Sequence, residues 1–502
     1  MGSVRVHHDA ADAASILQPR DDWMVRERPA ETDAADRTSD THFVLDHGPF
    51  RHWSRRVEVT DRGVTEHIDF RLSTPVLSVP FGWLYRWALR NRSREADAPF
   101  WAPPDRFDAT GARAFTLLIV ATMAAAYMGT LLSQTITFVA DDFDASRSTQ
   151  GLVTGLTRVG ALLSLVVVFF ADRRGRRRLL IVSGIGASLF AGLAALSPNI
   201  WFYGGAELIS RGLTTGFGLL IGIFAAEESP AGSRAWTTSI LALFAGLGSG
   251  MVLWLVPVAD AGEGAWRILF VVALLAVPIV VALGRRLPES RRFERMTERR
   301  RDPAPITPGM RRRFAMLAVV GFATAMYAAP ASNFQNEYLR DERGFTGARI
   351  SLFSTVTNTP IGIGVAIFGP MADRRGRRVI GAIGIIAGVV FGVVRYGFGG
   401  PLMWMAGTLG TVIGAAAIPA LGVYGPEMFP TSRRGLANGL LTLVAVVGSV
   451  IGLAFVGVMS ERWSFGATFA LLSIVPLSAC LMLRWYPETA KQTLEDLNPH
   501  DE

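Results

Sequence analysis

The sequence predicts an all-α membrane protein with twelve transmembrane helices in two pseudo-symmetric six-helix bundles, preceded by a small α+β appendage. Three observations predict this fold class. Half of the 502 residues are apolar and only 18% are charged, whereas soluble proteins carry about a quarter charged residues. After about residue 110, apolar stretches of about 18 residues or more recur, each long enough to cross a bilayer as a helix. Three motifs also recur about 200 residues apart, which indicates a duplicated unit.

The clearest duplicated motif is a basic turn between two apolar runs. It reads ADRRGRR at 171–177 and again at 372–378, 201 positions later. A second motif has an acid and an arginine, Glu227 and Arg234, which return 200 positions on as Glu427 and Arg434. A third, PES at 288–290 and PET at 487–489, is repeated at an offset of 199. Such constant spacing favours duplication over coincidence.

Twelve apolar runs are predicted to cross the membrane. In chain order they cover about 113–139, 149–171, 178–197, 200–226, 235–258, 266–284, 313–336, 348–371, 378–396, 401–425, 434–459 and 465–486.

The arginines predict the orientation of these spans. The loops 172–178, 227–236, 285–313, 373–378 and 427–434 hold 23 arginines, and the alternate loops hold 7. Basic loops stay on the cytoplasmic side of a membrane, so both termini are expected in the cytoplasm, with the chain in the inner or plasma membrane. We call the two ends of the helical bundle the arginine-rich end and the arginine-poor end.

The composition also predicts a domain organisation. We expect a disordered tail at 1–40, an appendage and linker at 41–110, a first bundle at 111–284, a central loop at 285–312, a second bundle at 313–486 and a cytoplasmic tail at 487–502.

Within the appendage, two alternating segments flank Asp61-Arg62-Gly63 and predict a β-hairpin. The segment 76–91 then has Trp83 and Trp87 among arginines. As a helix it would either lie on the membrane surface or pack on the hairpin.

The duplicated motifs resemble those of the major facilitator superfamily, nearest the sugar porter and aromatic-acid:proton symporter branches. The resemblance covers about 113–490, and the segment 369–378 is similar to the family's loop between helices 8 and 9. The first copy departs from that signature at Val168, where glycine is expected. The resemblance implies a secondary transporter that works by alternating access and is not an enzyme.

Acids and arginines at the arginine-rich end are predicted to form a cytoplasmic gate. Carboxylates and guanidinium groups at one membrane level can form bidentate pairs, which the resemblance implies would break as the cavity opens inward. The alternative is a set of charges that only fixes orientation. The candidate gate residues are Asp172, Arg173, Gly175, Arg176, Glu227, Arg234, Asp373, Arg374, Gly376, Arg377, Glu427 and Arg434.

Charges inside the spans are few and are candidates for a substrate or proton site, because burying a charge in a membrane is costly. Arg158 lies in the second span, and Glu207 and Arg211 lie one turn apart in the fourth. Counting about 1.5 Å per residue places the two arginines in one layer. Either they attract an anion while Glu207 carries a proton, or the charges merely neutralise one another. Asp141, Asp142 and Glu337 are reserve proton carriers.

Neutral side chains on the helices expected to face the cavity are further candidates, either as substrate contacts or as hydrogen bonds between helices. They are Tyr127, Thr130, Gln134, Tyr327, Asn333, Asn358 and Trp404.

Together these observations predict proton-linked movement of a small organic anion by a monomer in a lipid bilayer, without a cofactor or nucleic acid. Cys480 is the only cysteine, so neither a disulfide nor a cysteine-based metal cluster is expected. The fifth span lacks the Gly-Pro pair of drug:proton antiporters. A sugar-type facilitator, a drug:proton antiporter and a membrane sensor that does not transport remain the alternatives.

Overall fold

The computed structural model describes the following residues: 2–9, 13–30, 41–60, 63–74, 78–91, 99, 102–103, 105–230, 233–287, 307–422, 424, 428–429 and 431–488. Within these ranges it leaves out the side chains of 60, 80, 168–169, 172–174, 226–227, 234–235, 286, 366, 369–370, 373–374 and 431–435.

The first half contains membrane helices 1 to 6. Their bounds are Ala109–Asp142 for helix 1, Arg147–Gly160 with Leu163–Arg174 for helix 2, Arg176–Ala194 for helix 3, Ile200–Glu228 for helix 4, Arg234–Ala259 for helix 5, and Arg267–Ala273 with Ala276–Arg286 for helix 6.

The second half contains membrane helices 7 to 12. Their bounds are Pro308–Asn333 for helix 7, Gly347–Asn358 with Ile361–Arg375 for helix 8, Arg377–Gly397 for helix 9, Gly400–Gly414 with Ala417–Gly422 for helix 10, Thr431–Ser460 for helix 11, and Phe465–Leu472 with Ile474–Cys480 for helix 12. A short helix, Gln335–Glu337, and a π-helical turn, Tyr338–Glu342, follow helix 7.

The predicted fold class is confirmed. Among the described residues, 11 helices are long and apolar enough to cross a membrane, and the predicted span 348–371 corresponds to helix 8 in two segments. Helix 8 is interrupted at Thr359-Pro360, because proline lacks the N–H group that a continuous helix requires.

The duplicated basic turn has the same backbone in both halves. Gly175 has φ 99° and Gly376 has φ 99°, a region that side chains with a Cβ rarely adopt. Each glycine ends one helix by donating its N–H to a carbonyl four residues back, at 3.2 Å for Ala171 and 3.1 Å for Ala372. The next helix begins at once, so the glycine in each copy is explained by the turn it makes.

A glycine in each half also lets helices cross closely. A Cβ at Gly160 in helix 2 would collide with the carbonyl of Leu208 in helix 4. A Cβ at Gly364 in helix 8 would likewise collide with the carbonyl of Val412 in helix 10. Both glycines allow backbone-to-backbone packing of the kind that small residues give membrane helices.

Contacts divide the chain into two compact units. The first comprises residues 1–123, 219–245 and 279–294, and the second comprises 124–218, 246–278 and 295–502. The first unit therefore contains the appendage together with the arginine-rich ends of helices 1, 4, 5 and 6.

The appendage contains a five-stranded antiparallel sheet in the order β1-β5-β4-β3-β2. The strands are Gly2–His8 (β1), Arg26–Pro29 (β2), Thr41–His47 (β3), Phe50–Thr60 (β4) and Gly63–Leu72 (β5). The predicted hairpin is confirmed, because β4 and β5 pair along their length, with Trp53 opposite Phe70.

The prediction that 1–40 is a disordered tail is wrong for the described part of that segment. It contains β1, β2 and a short helix, Ala13–Ile16 (α1). β1 pairs with β5, so that Val4 lies opposite Ile68. β1 is stabilised by pairing with β5, some sixty residues away in sequence. The composition of residues 1–40 does not indicate this pairing.

A buried ion network holds this segment to the sheet. Arg55 of β4 has no exposed surface, and its guanidinium lies 2.7 Å from Glu27 of β2 and 2.8 Å from Glu66 of β5. Arg55 also donates hydrogen bonds to the carbonyls of Ile16 at 2.8 Å and Gln18 at 2.7 Å. Since buried charges must be paired and hydrogen-bonded to be tolerated, this network fixes the fold of residues 16–27.

The helix Ser78–Asn91 (α2) packs on the sheet through one face, which is the second of the two arrangements that the sequence left open. Tyr85, Ala88 and Leu89 are buried in the same apolar core as Trp53 and Phe70. The described residues leave the opposite face of α2, which carries Val79, Trp83 and Trp87, uncovered.

Candidate functional site between helices 2 and 4

Helices 2 and 4 cross at the level of the predicted intramembrane charges. Gly160 packs against the backbone at Leu208, and Gly212 packs against the backbone at Gly160. Arg158 and Glu207 are near neighbours of these contact points in sequence. The close crossing therefore brings the charged side chains of the two helices into one layer.

Arg158 and Glu207 each lie within electrostatic range of Arg211. Arg211 is close enough to attract Glu207 and to repel Arg158. The guanidinium of Arg211 also donates a hydrogen bond of 2.7 Å to the carbonyl of Gly129 in helix 1. The cluster thus combines two guanidinium groups with one carboxyl group.

Two polar atoms of the cluster are buried without a partner. Among the described residues, neither Arg158 Nε nor Glu207 Oε1 has a hydrogen-bond partner. Glu207 is only 2% exposed. Buried polar groups are nearly always hydrogen-bonded, so these two atoms have unused capacity to bind a ligand, a proton or water.

The glycines of helix 4 fall into two groups. Side chains at Gly212 and Gly216 would collide with helix 2, whereas a Cβ at Gly218 or Gly222 would meet nothing within 4 Å. Helix packing therefore accounts for Gly212 and Gly216 but not for Gly218 and Gly222.

Two candidate hydroxyl groups in helix 1 are used in bonds between helices. The Tyr127 hydroxyl donates to the carbonyl of Leu269 in helix 6 at 2.7 Å. The Thr130 hydroxyl lies 2.9 Å from that of Ser249 in helix 5. These bonds hold helix 1 against its neighbours.

The candidates in helices 7, 8 and 10 are described by their separate surroundings. Tyr327 donates its hydroxyl to the Val389 carbonyl at 3.1 Å. Trp404 stacks edge-on against Phe353, with ring centres 4.9 Å apart. Asn358 is half-buried at the end of the first segment of helix 8.

Gln134 and Asn333 lie near the arginine-poor end. The Asn336 amide donates to the Gln134 carbonyl at 2.9 Å and to its side-chain oxygen at 3.2 Å. The Asn333 amide donates to Ala329 of its own helix at 2.8 Å. The bond from Asn336 joins helix 1 of the first half to the end of helix 7 in the second half.

Charged contacts at the arginine-poor end join the two halves more strongly. Arg147, the first residue of helix 2, has Nε 2.7 Å from Glu337 Oε1 and Nη2 3.1 Å from Asp341 Oδ2. Its guanidinium also donates to the Ser460 carbonyl in helix 11 at 2.8 Å. Sequence reasoning missed this role, because Arg147 was counted only as a loop arginine.

Further bonds close the same end. The Ser148 N–H donates to Glu461 at 2.9 Å, and the Gly347 N–H donates to Asp260 at 2.6 Å. Asp141 pairs with Arg340. Each of these contacts joins the first half to the second.

Glu337 has an unusual environment for a carboxyl group beyond the end of helix 7. Burial raises its pKa to about 7, against the opposing attraction of Arg147. Asp341, which shares Arg147, adds to the upward shift in pKa.

The predicted gate at the arginine-rich end lies largely outside the described residues. This applies to the side chains of Asp172, Arg173, Glu227, Arg234, Asp373, Arg374 and Arg434, and to the whole of Glu427. The described members include the two turn glycines, Gly175 and Gly376, and Arg176, which is buried.

The third duplicated motif meets the first motif in the second half. Glu488 accepts a hydrogen bond of 2.9 Å from the backbone N–H of Arg377, and its carboxylate lies 3.6 Å from the Arg378 guanidinium. It therefore caps the positive N-terminus of helix 9. Gly376 leaves room for this carboxylate, since a Cβ there would lie 2.7 Å from Glu488.

A match to a family model identifies the family of the chain. The family model of the Major Facilitator Superfamily matches residues 118–335 and 316–499. The chain belongs to the Major Facilitator Superfamily. It is accordingly a multi-pass membrane transporter and not an enzyme, as the sequence predicts.

Relatives of this superfamily member are named for different substrates. It is 27% identical to the cis,cis-muconate transport protein of Acinetobacter baylyi over 52% of this chain and 66% of that protein. It is 32% identical to the gentisate transporter of Corynebacterium glutamicum over 29% of this chain and 33% of that protein. It is 30% identical to the multidrug efflux pump LfrA of Mycolicibacterium smegmatis over 36% of each chain. The matches thus span about two thirds of the muconate protein and a third of each of the other two.

Solved structures of superfamily members share the fold at low identity. The inward-open xylose transporter XylE from E. coli superposes with a TM-score of 0.62 at 15% identity, over 77% of this chain and 98% of XylE. An inward-facing bacterial homologue of the lysosomal transporter Spinster gives 0.59 at 14% identity, over 75% of this chain and 95% of that one. At this level of identity, the similarity shows a shared fold and nothing about substrates.

Proposed function

We propose that this transporter takes up a small organic anion, bound as the carboxylate, together with a proton. The observation that carries the proposal is the buried cluster of Arg158, Arg211 and Glu207, in which Arg158 Nε and Glu207 Oε1 have no hydrogen-bond partner among the described residues. A carboxylate is the ligand that guanidinium groups bind best, because the two can form parallel hydrogen bonds.

The same cluster offers a physical route to proton coupling. Burial favours the neutral form of Glu207, whereas the charge of Arg211 favours the ionised form. A carboxylate substrate bound to Arg211 would neutralise that charge. Glu207 would then take up a proton as the anion binds and release it as the anion leaves. The opposing effects of burial and Arg211 on Glu207 would thus couple proton binding to anion binding.

The relatives support an organic acid as the substrate class. Muconate and gentisate, named for two of the relatives, are both small carboxylic acids. The similarity to LfrA favours drug efflux as the second candidate. Against that candidate, helix 5 has glycines at 246, 248 and 250 but no Gly-Pro pair.

We further propose that the arginine-rich end faces the cytoplasm, following the distribution of arginines in the loops. The closed contacts at the arginine-poor end would then block the outer side, and the transporter would release substrate inward. On this orientation, Asp172, Glu227, Arg234 and their counterparts in the second half form the inner gate.

Transport by purified protein in proteoliposomes tests the proposed function. We expect labelled muconate and gentisate to accumulate when the interior is alkaline, and to equilibrate only when the pH gradient is collapsed. A cationic drug such as ethidium and a labelled pentose serve as the competing substrates. Accumulation of the drug or sugar but of neither acid would contradict the proposal.

The gate has a separate test. Asp172→Asn and Arg234→Ala should each impair uptake while leaving membrane insertion intact. Arg462→Gln, which removes an exposed arginine at the opposite end, is the matched control. Normal uptake by both gate variants would leave these charges with a role in orientation only.

A further inference from the structure

The outer face of α2 combines tryptophan and arginine in one stripe. Val79, Trp83 and Trp87 follow one another at four-residue spacing and are 76%, 63% and 44% exposed. Arg86 and Arg90, also four apart, are exposed as well. At 100° per residue these five side chains occupy about a quarter of the helix circumference.

This stripe lies opposite the face that packs on the sheet. Tyr85, Ala88 and Leu89 bury the inner face in the core of the appendage. Folding of the appendage therefore leaves the stripe uncovered, although two indole rings are costly to leave in water. Large exposed apolar patches usually mark a site of interaction.

The appendage is joined directly to the membrane helices. Ser73 donates a hydrogen bond of 2.5 Å to the carbonyl of Ala109, the first residue of helix 1. The Asp105 N–H donates to Ser233 at the start of helix 5 at 2.8 Å. These bonds fix the linker on either side of Phe107 against the bundle.

α2 itself borders the same helices. Phe81 and Tyr85 line a cleft together with Phe115, Ile119 and Trp236 of helices 1 and 5. Ile119 lies about 15 Å along helix 1 from Ala109. Because α2 shares a cleft with Ile119, it is held close to the membrane surface at which helix 1 enters the bilayer.

The positive charge of α2 favours an anionic membrane surface as its binding partner. Its sequence, SVPFGWLYRWALRN, contains two arginines and no acid. Tryptophan is the residue that most favours the boundary between lipid tails and headgroups, and arginines beside it can reach anionic headgroups while their apolar stems stay in lipid.

From this we propose that α2 docks the appendage on the membrane, with Val79, Trp83 and Trp87 at the acyl boundary and Arg86 and Arg90 on anionic lipid headgroups. The appendage would thus be a lipid-contacting module of the transporter. The proposal does not depend on what the helices transport.

Accessibility of a nitroxide label tests the proposal on the full-length chain in nanodiscs. In a Cys480→Ser background, Val79→Cys carries the label, and Val59→Cys, on an exposed position of β4, is the matched control. With phosphatidylcholine discs containing phosphatidylglycerol, the label at 79 should be accessible to oxygen and protected from a water-soluble nickel complex. The label at 59 should be accessible to nickel throughout.

Three further variants assign the contacts. Arg86→Gln and Arg90→Gln should each weaken docking about fivefold, since one arginine near an anionic surface contributes about that factor. Trp83→Ser with Trp87→Ser should return the label at 79 to water. Hydrogen exchange of β4 and β5 should be unchanged in all of these variants, because the substituted side chains are exposed.

Three results would overturn the proposal. The label at 79 could be as accessible to nickel as the label at 59 in anionic discs. It could be equally buried in discs of phosphatidylcholine alone, which would remove the role of the arginines. It could be inaccessible to both oxygen and nickel, which would show that another protein surface covers the stripe.

Discussion

Arg147 and Glu337 form an ion pair, with 2.7 Å between Nε and Oε1, at the end of the bundle where helix 2 of the first half meets the end of helix 7 in the second. The pair shares Arg147 with Asp341 at 3.1 Å. In the proposed alternating-access cycle the two halves separate at this end to admit substrate, so we expect the pair to break in every cycle.

This pair predicts that acid favours the closed arginine-poor end. Burial raises the pKa of Glu337 to about 7 in the closed state, while in water a glutamate titrates near 4.3. The closed state therefore binds the proton more tightly. Its extra stability is complete below about pH 4 and is lost as the pH rises through about 7. Besides Glu337, the charged or titratable groups nearby are Arg147, Asp341 and Tyr396.

Distances between spin labels at the exposed positions Glu263→Cys and Arg462→Cys, in a Cys480→Ser background, measure this equilibrium. The closed population should grow between pH 8 and pH 5, and Glu337→Gln should abolish the response. Glu461→Gln is the matched control: hydrogen bonding from Ser148 lowers the pKa of Glu461, so it stays ionised in this range. A pH response that survives Glu337→Gln but not Glu461→Gln would refute the assignment.

The crossing of helices 2 and 4 predicts a large difference between two glycines. Gly160→Ala should destabilise the protein by about 1–3 kcal/mol through overpacking, because its Cβ would collide with backbone at Leu208. Gly218→Ala in helix 4 should be neutral or stabilising, since a Cβ there meets nothing within 4 Å. The buried thiol of Cys480 reports thermal unfolding through a thiol-reactive fluorophore. Equal melting temperatures for the two variants would argue against the close crossing.

The sequence predicts what depends on local chemistry. Gly175 and Gly376 were recognisable as turn residues because the basic motif recurs between apolar runs. Arg158 and Arg211 could be placed in one layer because the rise of a helix is constant. Neither inference required knowledge of how the helices pack.

Contacts that join distant segments could not be predicted in this way. Arg147 and Glu337 lie far apart in sequence, one in each half, and nothing in the sequence near either residue indicates that they pair. β1 was missed for the same reason, since its partner β5 is far along the chain. Tyr127 was expected to face a cavity or a helix, and only the rotation of helix 1, set by packing, directs its hydroxyl to Leu269.

The buried network of the appendage predicts a local loss of structure. Arg55→Met leaves Glu27 and Glu66 buried without their cation, and breaking a buried ion pair in this way costs about 3–5 kcal/mol. Hydrogen exchange should accelerate in β1 and β2. Arg56→Met, one residue on and exposed, is the control and should change exchange little. Unchanged exchange in the Arg55 variant would show that the network does not hold these strands.

The two intramembrane arginines predict a loss of anion binding. Arg158→Gln and Arg211→Gln should each raise KM for a labelled carboxylate about tenfold or more, because hydrogen bonds to charged groups contribute about 1.5–3 kcal/mol. Arg158→Lys, which keeps the charge, should be affected less than Arg158→Gln. Arg462→Gln should transport like the parent protein. If neither glutamine variant changed KM, the substrate site would have to lie elsewhere in the protein.

The most direct test of the account is transport by Glu207→Gln, measured in two ways on the same proteoliposomes. If Glu207 carries the proton, this variant should still exchange labelled for unlabelled carboxylate across the membrane, and it should fail to accumulate the acid when a pH gradient is imposed. Accumulation equal to that of the unsubstituted protein would contradict the account.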